Sequence, residues 1–89
     1  MDNAHRMFQD ALADVPENIR KQTGYTMSIS DRIAAILAAK GMTQKDFAKL
    51  MGRSQAEVSR WLGGTHNFTI ATLANISTAL DEDIIKVVG

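Results

Sequence analysis

The sequence predicts an all-α fold, with room for a short strand only at the C-terminal end. Three observations carry this. Apolar residues recur at helical spacing in Ile29, Ile33, Ile36 and Leu37, and again in Ile70, Leu73, Ile76 and Leu80. Helix-capping residues, Thr43, Ser54 and Thr69, each precede a helix-length stretch, and Gly41 and Gly52 stand where helices should stop. Only Ile84-Ile85-Lys86-Val87-Val88 has the β-branched density of a strand, or of a dimer seam.

Residues 3–12 can form a short helix that buries Met7, Phe8, Ala11 and Leu12, and Val15-Pro16 breaks it, because proline disfavours helical geometry in the residue before it. Pro16 can then open the next helix at its first position, with Glu17 in the acid-favouring first turn. Residues 17–40 read either as one helix or as two. Gly24, Tyr25 and Thr26 lower propensity in the middle, and Ser30 could cap a shorter second helix, which Lys40-Gly41 would end in either case.

The central stretch TQKDFAKLMGRSQAEVSRWLG, residues 43–63, is the most informative. Thr43 is a good N-cap with Asp46 three positions on; Met42 and Phe47 occupy hydrophobic-staple positions, and Phe47, Ala48, Leu50 and Met51 supply a buried side. Gly52 permits the left-handed backbone of a sharp turn, and only Gly52, Arg53 and Ser54 separate this helix from the next. Ser54-Gln55-Ala56-Glu57 fits a capping box, after which Val58, Trp61 and Leu62 bury one face. Gln55, Ala56, Ser59 and Arg60 fall on the opposite face. Two helices joined by so short a turn define a helix-turn-helix, whose second helix lies in the DNA major groove.

Residues from about Ile29 to Leu80 resemble the lambda-repressor-like (Cro/C1, XRE) helix-turn-helix family. The resemblance rests on Thr43-Gln44, Phe47-Ala48, Gly52 in the turn, Val58 and Trp61 in the second helix, and Gly63-Gly64 after it. It implies an all-α, lambda-repressor-like bundle with an extra N-terminal helical segment. VSRWLGGTHNFTIATLANISTAL is similar, more finely, to the HigA-like antitoxin branch, in which a glycine turn and a His-Asn-Phe-Thr segment lead into the next helix. That branch implies a homodimeric repressor of its own type II toxin-antitoxin operon, with a ribonuclease toxin as second partner. The alternative is a phage-type or metabolic XRE-family repressor with no toxin.

Side-chain chemistry then assigns roles. Gln55 can form paired hydrogen bonds to adenine and Arg60 to guanine; Ala56 suits a thymine methyl, and Ser59 offers a small hydroxyl. Gln44, Arg53, Thr65, His66 and Asn67 are placed to hold phosphates, which fixes register rather than sequence. Trp61 should be core, packed against Phe47. The division expected is an N-terminal arm over residues 1–28, for dimer or toxin contact, and a DNA-binding domain over residues 29–89. Met7, Phe8, Leu12, Val15 and Ile19 give that arm its apolar surface, and its acids suit a basic nuclease.

Composition bounds these readings. With 89 residues the chain has room for one core, and a chain this short buries only about 60–70% of its unfolded surface, so dimerisation would help. Ten basic residues balance ten acidic ones, which argues against an indiscriminate polyanion binder. The distribution is uneven, however. Between residues 43 and 69, Lys45, Lys49, Arg53 and Arg60 face only Asp46 and Glu57, while Asp2, Asp10, Asp14 and Glu17 collect in the leading segment and Asp81, Glu82 and Asp83 near the end. No cysteine is present, and His5 and His66 have no ligand at metal-binding spacing. Neither a nucleophile elbow nor a phosphate-cradling loop occurs, so no enzyme, cofactor or metal is expected. Without a signal peptide or a membrane-length apolar run, the expectation is a cytoplasmic protein.

Overall fold

A computed structural model describes residues 14–89. The helix expected over residues 3–12 lies outside them. Four helices follow in order: α1 Glu17–Lys40, α2 Gln44–Met51, α3 Gln55–Leu62 and α4 Ile70–Leu80, with no strand among the described residues.

Helix α1 is one continuous element of 24 residues, running through Gly24-Tyr25-Thr26 and across the expected division between residues 28 and 29. Local propensity against the helix there is offset by packing: Thr26 is buried, and its hydroxyl donates to the Thr23 carbonyl at 3.0 Å. Pro16 has extended geometry, with φ −58° and ψ 146°, so it caps the helix from outside rather than forming its first residue. Its carbonyl accepts from the amides of Ile19 and Arg20.

The ends of α1 and α2 close alike. Gly41 and Gly52 both take φ +65°, and in each case two successive amides bond back into the last turn, Gly41 and Met42 to Ala38 and Leu37, Gly52 and Arg53 to Lys49 and Ala48. The starts of α2, α3 and α4 are closed by hydroxyls: Thr43, Ser54 and Thr69 accept from the amides of Asp46, Glu57 and Thr72. Around Thr43 the capping box is complete, because the Asp46 carboxylate accepts from the Thr43 amide at 3.0 Å.

The core is drawn from every helix: Ile33, Ile36 and Leu37 of α1, Phe47 and Ala48 of α2, Val58 and Trp61 of α3, and Leu73, Ile76 and Leu80 of α4, with Ile84 beyond them. Two expected core residues are exposed, Leu50 (49%) and Ile70 (72%). At the helical rotation of about 100° per residue, Leu50 lies about 110° from the middle of the Phe47/Ala48 face, and Ile70 about 85° from the Leu73/Ile76/Leu80 face. Residues 84–88, read as suited to a short strand or a dimer seam, form no strand. Ile84 turns into the core and its amide donates to the Ser77 hydroxyl at 3.2 Å, while no neighbouring strand among the described residues offers a ladder. The segment is instead pinned by Arg32, which donates to the Asp83 carbonyl at 3.2 Å and pairs with Glu82 at 3.7 Å.

One polar contact crosses the core. Ser30, which is buried, donates from Oγ to the Trp61 carbonyl at 2.6 Å and so ties α1 to the last turn of α3. Ser30→Ala would strand that carbonyl in an apolar setting and should lower unfolding free energy by about 1–3 kcal/mol, measured by urea titration.

The Thr43 backbone amide, followed by the Thr43 hydroxyl, holds the Asp46 carboxyl below its ordinary value of 3.8. A carboxyl depressed in the folded state contributes stability that is fully present above the unfolded value and is lost as pH falls through the folded one. Comparing thermal midpoints of the wild type and Asp46→Ala from pH 6 to pH 2 should therefore show a gap at pH 6 that closes in the acid limb. A gap unchanged to pH 2 would sink this assignment.

Candidate nucleic-acid interface

Helices α2 and α3 pack on each other across a connection of three residues, Gly52, Arg53 and Ser54. Helix α3 has only eight residues, too few to persist alone, so its orientation comes from what it buries. Val58 is fully buried and Trp61 nearly so. The indole meets Phe47 edge-on at 6.0 Å between centroids and Phe68, tilted, at 6.3 Å.

With that side anchored, Gln55, Ala56, Ser59 and Arg60 are all exposed. On a helical wheel they span roughly 140° on the side away from Val58 and Trp61. Gln55 opens the helix next to its Ser54 cap, and Arg60 lies in the last turn, where a cation suits the negative end of the helix. The four side chains therefore form one continuous strip on a helix narrow enough for a major groove.

The five candidates for phosphate contact are spread more widely. Gln44 is exposed at the first position of α2, held there by the Thr43 cap, and Thr65 is exposed in the loop after α3. His66 is half-buried: its ring meets Phe68 edge-on at 4.7 Å and approaches Trp61 at 6.5 Å, so the imidazole packs on the aromatic cluster. Asn67 lines a groove beside α1 and the C-terminal segment, together with Tyr25 and Ile70. Arg53 sits in the turn but its guanidinium is engaged by Glu57 at 3.3 Å.

That ion pair also corrects the second capping box. Ser54 caps the Glu57 amide, but the Glu57 carboxylate does not reach back to Ser54; its Oε2, closed off from solvent, faces Arg53 instead. Glu57 is thus a residue of the site that motif reading missed, although the Arg53/Glu57 spacing of four was a signal for it. Ser30 is another, marked in the sequence only as a lone hydroxyl on the stripe of Ile33 and Leu37. Among the described residues, no three metal-ligating side chains come together and no helix is long and apolar enough to cross a membrane.

A short capped helix presenting an uncommitted polar strip, braced by a second helix across a glycine turn, defines a DNA-binding helix-turn-helix protein. The chain belongs to the Cro/C1-type HTH DNA-binding domain family, which matches residues 32–85. It is accordingly a DNA-binding regulator and not an enzyme. Among solved structures, the restriction-modification controller protein C.AhdI from Aeromonas hydrophila is similar, with a TM-score of 0.62 and 24% identity over 68% of this chain and 92% of that protein. At that identity the likeness concerns the fold. No curated protein sequence matches the chain.

Glu57 places one negative charge next to the strip and neutralises Arg53. Glu57→Gln should therefore raise affinity for unrelated duplexes and steepen the dependence of log K on log salt by up to about 0.9, the contribution of one additional phosphate contact. Fluorescence anisotropy across a salt series measures both.

Proposed function

We propose that this protein represses transcription by binding its operator as a homodimer, with α3 in the major groove of each half-site. The observation that carries this is the division of α3 into an anchored side, Val58 and Trp61, and an exposed strip, Gln55, Ala56, Ser59 and Arg60. Gln55 pairs with adenine, Arg60 with guanine, Ala56 lies against a thymine methyl, and Ser59 permits close approach or bonds a base edge. Gln44 and Thr65 hold phosphates on either side. Arg53 joins them by exchanging Glu57 for a phosphate oxygen, while His66 and Asn67 contribute through the loop that their packing shapes.

The operon under control is read as a toxin-antitoxin pair of the HigA-like kind. Support comes from the GGTHNFT segment, in which Gly64 takes φ +89° and the His66, Phe68 and Trp61 rings form one cluster leading to the Thr69 cap. In this reading the ribonuclease toxin is met by the arm over residues 1–28 and the rest is the DNA-binding domain. Co-purification from the native host with mass identification tests it, and recovery of the chain without a ribonuclease leaves the plain repressor. Control of a restriction-modification system, the role that C.AhdI is named for, is a third operon context to be read from the same experiment.

Arg60→Ala is the decisive substitution for the DNA reading. It should flatten discrimination at one base pair by about 1–3 kcal/mol in a binding-site selection, leaving affinity for unrelated sequence largely unchanged. Unaltered preference would show that Arg60 does not read a base.

A further inference from the structure

Three of the five side chains that the sequence places on phosphates are engaged elsewhere: Arg53 with Glu57 at 3.3 Å, His66 on the Phe68 and Trp61 rings, and Asn67 in the groove beside α1. Gln44 and Thr65 stay exposed but carry no charge. A helix-turn-helix resting on these contacts alone would release few counterions. Cations are nevertheless present beside the turn. Lys45 and Lys49 are both exposed on α2, and among the described residues neither closes an ion pair.

We propose that Lys45 and Lys49 form a cationic rail on the outer side of α2 that holds the phosphate backbone bordering the groove α3 enters. The proposal rests on the operator-binding reading above and moves the electrostatic grip from Arg53 and His66 to two residues outside the helix-turn-helix turn and loop.

Three features favour a nucleic-acid backbone as the occupant. First, at about 100° per residue Lys45 and Lys49 lie about 110° and 150° from the middle of the Phe47/Ala48 face, so they share one side of α2. Side chains four apart on a helix are about 5–6 Å from each other at Cβ, and flexible lysine stems let the two ammonium groups take separate phosphates. Second, the rail starts directly after Gln44, at the end of α2 that the first helix of a helix-turn-helix brings to the DNA backbone. Third, the acid between the lysines is committed. The Asp46 carboxylate accepts from the Thr43 amide at 3.0 Å, and both lysines act on its charge without closing onto it. An acidic protein would meet the same charge, but a protein interface needs an apolar centre, and the exposed apolar residue of α2, Leu50, lies on the opposite side of the helix. Two phosphate contacts are few beside the roughly six to ten of a strongly adhesive protein, in keeping with equal numbers of acids and bases.

Fluorescence anisotropy of the full chain on a labelled duplex of mixed sequence, repeated across a salt series, tests the rail. Lys45→Gln and Lys49→Gln should each lower the slope of log K against log salt by about 0.9, and the double variant by about 1.8. On the sequence recovered by binding-site selection the loss of affinity should be the same, leaving base preference intact. Lys45→Arg should keep the wild-type slope. Lys86→Gln, which removes a cation from the C-terminal segment where it pairs with Asp83 at 4.0 Å, should keep it too. Both rail residues are exposed, so helical circular dichroism should not change in any of these variants. An unchanged slope in either glutamine variant overturns the rail and leaves this side of α2 to an acidic protein. An equal fall in Lys86→Gln also overturns it, since net charge rather than contact would then be responsible. Arg60→Ala separates this test from the reading beneath it. If an Arg60-dependent base preference stands while the slopes stay fixed, only the rail is wrong; if the slopes fall but the wild type has no base preference, the rail stands and the operator reading fails.

Discussion

The position of Trp61 is the constraint on which the rest depends. An eight-residue helix has too little of its own hydrogen bonding to define a direction, so α3 points where its buried side chains hold it. Trp61 supplies most of that grip, since its ring meets α2 through Phe47 and the following loop through Phe68, while its carbonyl accepts from Ser30 on α1. Three separate parts of the chain thus converge on one residue of the reading helix. The strip from Gln55 to Arg60 inherits its rigidity from the opposite side of the same helix, where rotation would break ring contacts and strand a buried carbonyl.

Electrostatics reinforces specificity over general adhesion. Positive charge is present on the helix-turn-helix, yet Asp46 is committed to a cap and Glu57 to Arg53, and both place carboxylates close to where DNA would lie. Counterion release from phosphate contacts drives non-specific binding, and a chain with equal numbers of acids and bases commands little of it. Under the proposed mode of binding, binding energy would then come disproportionately from base-edge contacts. Those are available only to a helix held in register, which returns the requirement to Trp61 and to the caps that fix both ends of α2 and the start of α3.

Much of the fold is legible in the sequence because its signals are local. Thr43, Ser54 and Thr69 act as caps, Gly41 and Gly52 take the left-handed turns, and the faces of α3 divide as its spacing implies. What the sequence does not disclose depends on neighbours distant in the chain. Leu50 and Ile70 lie at the margin of their apolar faces, and whether a marginal residue is covered is decided by the helix across from it. The continuity of α1 through Gly24 reflects the burial of Thr26, which local propensity does not register. Ile84 shares the β-branched pattern of its neighbours, but one residue entering a core and a bond to Ser77 outweigh a pattern with no strand to pair with. In the interface, exposure of Gln55, Ala56, Ser59 and Arg60 follows from spacing, and the Arg53–Glu57 pair has its signal in a spacing of four, whereas the commitment of His66 to Phe68 and Trp61 depends on how the loop folds back on α3.

The two exposed surfaces are linked by the core they share. Helix α1 contributes Ile33, Ile36 and Leu37 to the packing behind α3, and its first half borders the apolar groove. Since Ser30 connects this same helix to the Trp61 carbonyl, a displacement of α1 cannot be absorbed without moving the last turn of α3, where Arg60 sits. Packed cores shift between discrete arrangements rather than deforming smoothly. The groove side of α1 and the exposed strip of α3 are thus joined through one packed unit. In a two-fold dimer that connection would set the half-site spacing, which for helix-turn-helix proteins must match about one turn of DNA, roughly 34–36 Å.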